Sequence, residues 1–219
     1  MIQGYLGFEL AGVSRSGIII SGGRSSRLGQ DKGLMRLGGK PLVCWVIERL
    51  QGVVDDVVVV VGSEAMVPLY SEVVPAGVRV VADCYPQDSP LIGLITGLRE
   101  VSGEYAVVCA CDMPFIDPNV IEFLFDVSRS LNGVLLVKPN GWIEPIPSVY
   151  HVANCLSYAE ALRESGEMRI RKILVNMQNT VKYPIENLRH IDPDLRSFID
   201  LDTLDSVEEA QRMLRKSPR

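Results

Sequence analysis

Apolar, β-branched runs alternating with stretches of helical period predict a single α/β domain of three layers, a mainly parallel, Rossmann-like sheet covered by helices on both faces. The strands are residues 17–21 (GIIIS), 57–61 (VVVVV), 78–82 (VRVVA) and 105–111 (YAVVCAC). Each is short and almost wholly apolar, as expected of a strand buried on both sides. Residues 41–50, 64–72 and 91–100 lie between them and are long enough for crossover helices. A fourth helix starts after Asp117, because Asp117-Pro118 offers an N-cap followed by proline at the first helical position.

The second half is less regular. Residues 133–137 form a further strand candidate and 145–150 another, with Pro145 and Pro147 marking an edge or bent piece. Residues 153–165 and 168–177 read as helices, and a last helix covers 207–215, where Ser206 and Glu209 have capping-box spacing. No repeat, low-complexity tract or linker divides the chain. The domain is therefore placed at 17–216, with 1–16 as an N-terminal extension of unassigned role.

With 219 residues, 47% of them hydrophobic, the chain can build one substantial core. A net charge of −5 argues against coating nucleic acid or anionic membrane, so neither is expected as a partner. The longest apolar run, 105–111, is far short of the ~20 residues that span a bilayer. The first sixteen residues lack the basic start and apolar stretch of a secretory signal. Five cysteines, odd in number and mostly in apolar runs, fit reduced core thiols, and the expected location is cytoplasmic. Two histidines make a histidine-rich metal site improbable.

Directly after the first strand comes Gly22-Gly23-Arg24-Ser25-Ser26-Arg27-Leu28-Gly29-Gln30-Asp31-Lys32. Glycines 22, 23 and 29 let the backbone approach an anion closely, and Arg27 and Lys32 add cations. The loop falls at the carboxyl end of a strand, where open α/β sheets bind ligands, and reads as a phosphate cradle. It is neither a P-loop, which needs GxxxxGK[ST], nor a Rossmann loop, which needs GxGxxG. NTP hydrolases and dinucleotide dehydrogenases are disfavoured accordingly. A surface loop of solvated charges is the structural alternative.

Residues 20–42, ISGGRSSRLGQDKGLMRLGGKPL, resemble the pattern LAGGxxxRMGxDKxLLxLxGxPL of the molybdenum cofactor guanylyltransferases in the nucleotidyltransferase superfamily. The resemblance, extending over about 17–214, implies a nucleotide-diphospho-sugar transferase-like fold. It also implies that Gly22, Gly23, Arg27 and Lys32 bind the triphosphate of GTP, with Ile20 and Ser21 lending backbone and Asp83 contacting the nucleotide.

Cys109-Ala110-Cys111-Asp112-Met113-Pro114-Phe115 ends a buried strand on a carboxylate, at the same sheet edge as the glycine loop. An oxygen ligand there suits Mg²⁺, which takes one or two carboxylates plus substrate phosphates; a turn residue is the alternative. The segment meets the family's CDxPF pattern, which implies Asp112 as metal ligand and, with Arg27 and Lys32, as catalytic. Cys109 and Cys111 lack zinc-knuckle spacing and read as core packing.

Asp200-Leu201-Asp202-Thr203 puts two carboxylates on one side of an extended segment, with helix capping as the structural alternative. The family usually has NxNTPEDL here. The departure to DLDT resembles sister nucleotidyltransferases with other bases or acceptors, and it favours Asp202 as a second metal ligand. Gly93 and Gly97, in a segment that resembles the family's GPLAG stretch, fit either a base-binding loop or close packing against the sheet. Residues 166–172, GEMRIRK, concentrate three cations that are otherwise read as solvated helix surface. A loose family match implies that Arg169, Arg171 and Lys172 bind the acceptor.

The resemblance thus implies Mg²⁺-dependent transfer of GMP from GTP to molybdenum-loaded molybdopterin, in line and without a covalent intermediate, with release of pyrophosphate. It further implies transient contact with molybdoenzyme maturation proteins. Competing expectations are a cytidylyltransferase, a transferase for another small phosphate, and a nucleotide-binding accessory protein without turnover.

Overall fold

A computed structural model describes residues 13–21 and 31–216. In chain order the elements are β1 (Arg15–Ser21), β2 (Arg36–Leu37), β3 (Lys40–Pro41), α1 (Leu42–Leu50), β4 (Asp56–Val61), α2 (Val67–Ser71), β5 (Arg79–Ala82), α3 (Pro90–Glu100) and β6 (Tyr105–Ala110). They continue with α4 (Pro118–Ser128), β7 (Gly133–Val137), β8 (Ile143–Glu144), β9 (Ser148–His151), α5 (Val152–Glu164), α6 (Arg171–Asn176), β10 (Thr180–Pro184) and α7 (Leu204–Lys216).

The main sheet has the order β10-β7-β9-β6-β1-β4-β5, and β8 pairs with β7. β5, β4, β1 and β6 are parallel, β9 runs antiparallel to both β6 and β7, and β10 is parallel to β7. Side chains along each strand split by parity into two cores. Ile19, Val57, Val59, Val61, Val107 and Cys109 pack with α1 and α4 on one face. Ile18, Ile20, Val58, Val60, Ala106 and Val108 pack with α3 and α5 on the other. This division is why the strands read as unbroken apolar runs, since both faces of the pleat are dry.

Two helix starts are written in the local sequence. Ser89 accepts a bond from Leu91 N at 3.2 Å ahead of Pro90, and Asp117 accepts one from Asn119 N at 2.8 Å ahead of Pro118. The final helix begins one turn earlier than the Ser206–Glu209 spacing predicts. Thr203 and Ser206 cap each other instead, each side-chain oxygen accepting the other's backbone N–H at 3.1 Å.

Pro145 and Pro147 do not make an edge strand. They lie between β8 and β9, outside the ladder, and β9 is an interior strand paired from Ser148 onward. The chain leaves the ladder where the prolines have no N–H to donate and rejoins it beyond them. Gly93 and Gly97 perform the packing role. A Cβ at Gly93 would lie 2.9 Å from Ile20 Cγ2, and one at Gly97 would collide with Ile18 Cγ2, so α3 sits directly on β1.

From β1 the chain steps outward to β4 and β5, then crosses by α3 to β6 on the other side of β1. That reversal opens a crevice at the carboxyl ends of β1 and β6, the position at which open α/β sheets bind ligands. A smaller core of Met35, Leu37, Leu42, Leu201, Val207 and Ala210 docks α7 on the β2–β3 ribbon beside this crevice. No helix among the described residues is long and apolar enough to cross a membrane.

Candidate active site

Lys32, just past the glycine-rich segment, projects to the crevice and meets two carboxylates from distant parts of the chain. Its Nζ donates to Asp112 Oδ2 at 3.0 Å and to Asp202 Oδ1. Asp112 stands two residues beyond β6 with 11% of its side chain exposed, whereas Asp202 is 59% exposed. Burial alone would lower the Lys32 pKa, but the bonds to Asp202 and Asp112 outweigh it and hold the ammonium well above the usual lysine range.

One backbone bond explains how Asp202 arrives. Leu201 N donates to Asp112 O at 3.1 Å, and the Leu201 side chain is fully buried in the small core under α7. With Leu201 anchored inward, its neighbours turn the other way, as alternate residues of an extended segment do. Asp200 shares this crowded acidic corner. Partial burial, followed by the charges of Asp112, Asp202 and Glu144, pushes its carboxyl up to about 6. Among the described residues no set of three or more His, Cys, Asp or Glu side chains is arranged to hold a metal. Asp112 and Asp202 both bond Lys32 Nζ, and their carboxylates are hard oxygen donors of the class that magnesium takes.

Gly22, Gly23 and Arg27, together with the rest of 22–30, lie outside the described residues. The residues on either side are tied to each other. Tyr70 of α2 is fully buried, and its hydroxyl bonds both Ser21 Oγ and Asp31 Oδ1, while Gly33 N donates to Asp31 Oδ1 at 3.1 Å. Burial first, then the Cys111 and Asp31 neighbours, raises the Tyr70 pKa far above the usual phenol range, so the group remains a donor to Asp31. A Cβ at Gly33 would collide with this hydroxyl and with Ser21 Oγ, which accounts for glycine at that position. Ile20 stays within the ladder, its carbonyl accepting from Cys111 N at 3.1 Å. Cys109 and Cys111 are buried core thiols; burial raises both, Cys109 to about 12.

Asp83 lies at the carboxyl end of β5, two strands from β1, with its N–H bonded to Val61 O at 2.8 Å. Its Oδ1 is buried without a partner, an arrangement that leaves an acceptor ready for an incoming N–H donor. Burial, then the charge of Asp88, pushes the carboxyl up to about 6 from 3.8. Because the folded state holds this proton more tightly than the unfolded state, stability falls as pH rises from about 4 to about 6. Asp83→Asn is expected to flatten that limb and to add roughly 1–2 kcal/mol at pH 7 in urea unfolding. An unchanged pH profile would mean that Asp83 is not strained.

The three predicted acceptor cations do lie together, around a cavity of about 320 Å³ lined by Gly141, Trp142, Ile143, Arg169, Arg171 and Lys172. They are not equivalent. Arg169 is held by Glu167 through Nε at 2.8 Å and Nη2 at 2.5 Å, and that contact lowers the Glu167 carboxyl to about 2. Arg171 stacks on Trp142, its guanidinium carbon 3.6 Å from the ring centroid. Asp31, Tyr70 and Trp142 were not singled out in the sequence. Asp31 falls on a fixed position of the GxDK pattern, which was the available signal. Tyr70 and Trp142 had none, because their importance depends on what the fold brings beside them.

A glycine-rich segment that follows β1 in the sequence and a lysine–carboxylate cluster at the end of β6 belong to a chain with the Rossmann-like α/β fold of the nucleotidyltransferases. A protein-family model described as a MobA-like NTP transferase domain matches residues 17–181, and the chain belongs to that family. It is 33% identical over 202 residues to a probable molybdenum cofactor guanylyltransferase of Natronomonas pharaonis, covering 91% of this chain and 98% of the relative. A second relative of that description, from Natranaerobius thermophilus, is 31% identical, covering 92% of this chain and 97% of its own. Among solved structures, molybdopterin-guanine dinucleotide biosynthesis protein A of Archaeoglobus fulgidus superposes with a TM-score of 0.79 at 27% identity, covering 92% of this chain and 100% of that one.

Proposed function

We propose that this protein is a molybdenum cofactor guanylyltransferase: it transfers GMP from GTP to molybdopterin and releases pyrophosphate. The observation that carries the proposal is Lys32 seated between Asp112 and Asp202 at the β1–β6 crevice. Relatives at 33% and 31% identity bear the same functional description over nearly their whole length.

Nucleophile and electrophile are both anionic, so the protein's task is to offset repulsion and fix the geometry. Lys32 has three N–H donors and, among the described residues, uses two on Asp112 and Asp202, which leaves one for a phosphate oxygen. The loop amides of Gly22 and Gly23 and the Arg27 guanidinium add to the same charge. Asp83 offers its unpartnered oxygen to the nucleotide from the β5 side. Asp112 and Asp202 would hold Mg²⁺, which supplies charge neutralisation on the triphosphate. Arg169, Arg171 and Lys172 form the acceptor side.

The test combines a thermal-shift series with a transfer assay. Mg²⁺ with GTP, CTP, UTP or ATP is added in turn, since a ligand bound only by the folded state raises the melting temperature. The expected result is the largest shift with GTP, followed by pyrophosphate release on adding molybdopterin. A preference for CTP would move the protein to cytidylyl transfer, and GTP binding without pyrophosphate release would make it an accessory binder.

A further inference from the structure

Trp142 is half exposed, and it is the one aromatic among the large hydrophobic side chains left exposed in the described residues. The indole lines a cavity with Arg171, whose guanidinium covers one face of the ring, and half of the residue's surface is left for a ligand to cover. Its backbone is firmly set. The turn from β7 to β8 closes with Gly141 N on Lys138 O at 2.8 Å, Lys138 N on Trp142 O at 2.8 Å, and Trp142 N on Asn140 Oδ1 at 3.0 Å. Gly141 takes a φ of +79°, a conformation in which a side chain would be strained.

The cavity has a marked polarity. Arg171 lies flat against the indole, and Lys172 follows it at the start of α6. Among the described residues neither cation is paired with a carboxylate, in contrast to Arg169, which Glu167 holds. Two residues after Trp142, Glu144 pairs with Lys138; β7 and β6 both run antiparallel to β9, so the turn that carries Trp142 leaves β7 at the same sheet edge at which Asp112 leaves β6. An aromatic wall flanked by two cations without carboxylate partners among the described residues, at the sheet edge that carries Asp112, suits a planar heterocycle that carries negative charge.

We propose that Trp142 recognises the acceptor by stacking on its planar heterocycle, with Arg171 and Lys172 offsetting the acceptor's charge. This rests on the acceptor reading given above and assigns the specificity to one residue. Arg171 then serves twice, as the cation and as the plane that holds the indole at a fixed tilt.

The experiment has two independent readouts. In transfer assays, Trp142→Ala is expected to raise the KM for molybdopterin about tenfold or more, the scale of removing a stacked aromatic, with the KM for GTP and the melting temperature close to wild type. Trp142→Phe keeps a ring and is expected to stay within about threefold of wild type. An unchanged acceptor KM in Trp142→Ala, with transfer intact in the wild type, overturns the role of Trp142 and leaves the transferase reading standing. Separately from turnover, neopterin monophosphate is titrated while tryptophan emission is followed, with expected saturable quenching in the wild type that is largely lost in Trp142→Phe. Absence of saturable quenching, or equal quenching in Trp142→Phe, overturns the proposal. Saturable quenching that depends on Trp142, without transfer to molybdopterin, supports the stacking site and removes the transferase reading.

Discussion

Asp112→Ala is expected to lower the rate of nucleotidyl transfer about 10³-fold, about 4 kcal/mol of transition-state stabilisation, while the fold survives. The size follows from position. Asp112 lies just beyond the carboxyl end of β6, almost buried, and is the common partner of Lys32 on one side and of the Leu201 backbone on the other. Its loss removes one of the two carboxylates that, among the described residues, converge on Lys32. The Leu201 N–H bonds the backbone oxygen of Asp112 and not its side chain, so the 200–202 segment keeps its anchor in the variant. Circular dichroism and a melting temperature near wild type, together with single-turnover rates at saturating GTP, separate the chemical effect from a folding defect. A rate within a few-fold of wild type would strip Asp112 of its assigned role.

Lys32→Ala is expected to weaken GTP binding about 10- to 100-fold, the scale of one charge-assisted contact, and to cost about 1–2 kcal/mol of stability. The stability figure is kept small because Asp202 is more than half exposed and solvent screens it, whereas the nearly buried Asp112 loses its counter-ion outright. The pH dependence distinguishes this from simple loss of packing. Without Lys32, the Asp112, Asp200 and Asp202 charges repel one another with no cation between them, and Asp200, whose carboxyl is already pushed up to about 6, binds its proton still more tightly in the folded state than in the unfolded one. The deficit should therefore be largest at neutral pH and shrink as pH falls toward about 4. Calorimetric titration with GTP and urea unfolding at two pH values measure both effects. Wild-type affinity for GTP would show that Lys32 serves only the structure.

Much of this site is legible in the sequence. The strand ends that carry Ser21, Asp83 and Asp112 follow from runs such as VVVVV and YAVVCAC, because a strand buried on both faces needs apolar residues at every position, and a charge after such a run marks where it leaves the core. Asp200 and Asp202 were readable as a same-side pair from their spacing, and Leu201 between them is indeed buried. Helix ends were less secure. The last helix gains its first turn through the Thr203–Ser206 exchange, a pairing that competes locally with Ser206–Glu209 and wins once Leu201 is docked. The interior position of β9 was hidden by its preceding prolines, and β10 by its half-exposed, mixed composition.

The sequence alone determined the chemistry available: a glycine-rich loop with Arg27 and Lys32 after the first strand, carboxylates at two further chain positions, and a net negative chain ill suited to nucleic acid. Local patterning suffices for this, since strand ends, loops and charge depend on neighbours in the chain. Only the tertiary structure decided that Lys32 sits between Asp112 and Asp202, residues 80 and 170 positions away, that Tyr70 joins Ser21 to Asp31, and that Arg171 lies on Trp142. Such contacts join side chains whose separation along the chain carries no periodic signal. They arise because the crossover of α3 places β6 beside β1, and because the small core under α7 draws the 200–202 segment to the same crevice.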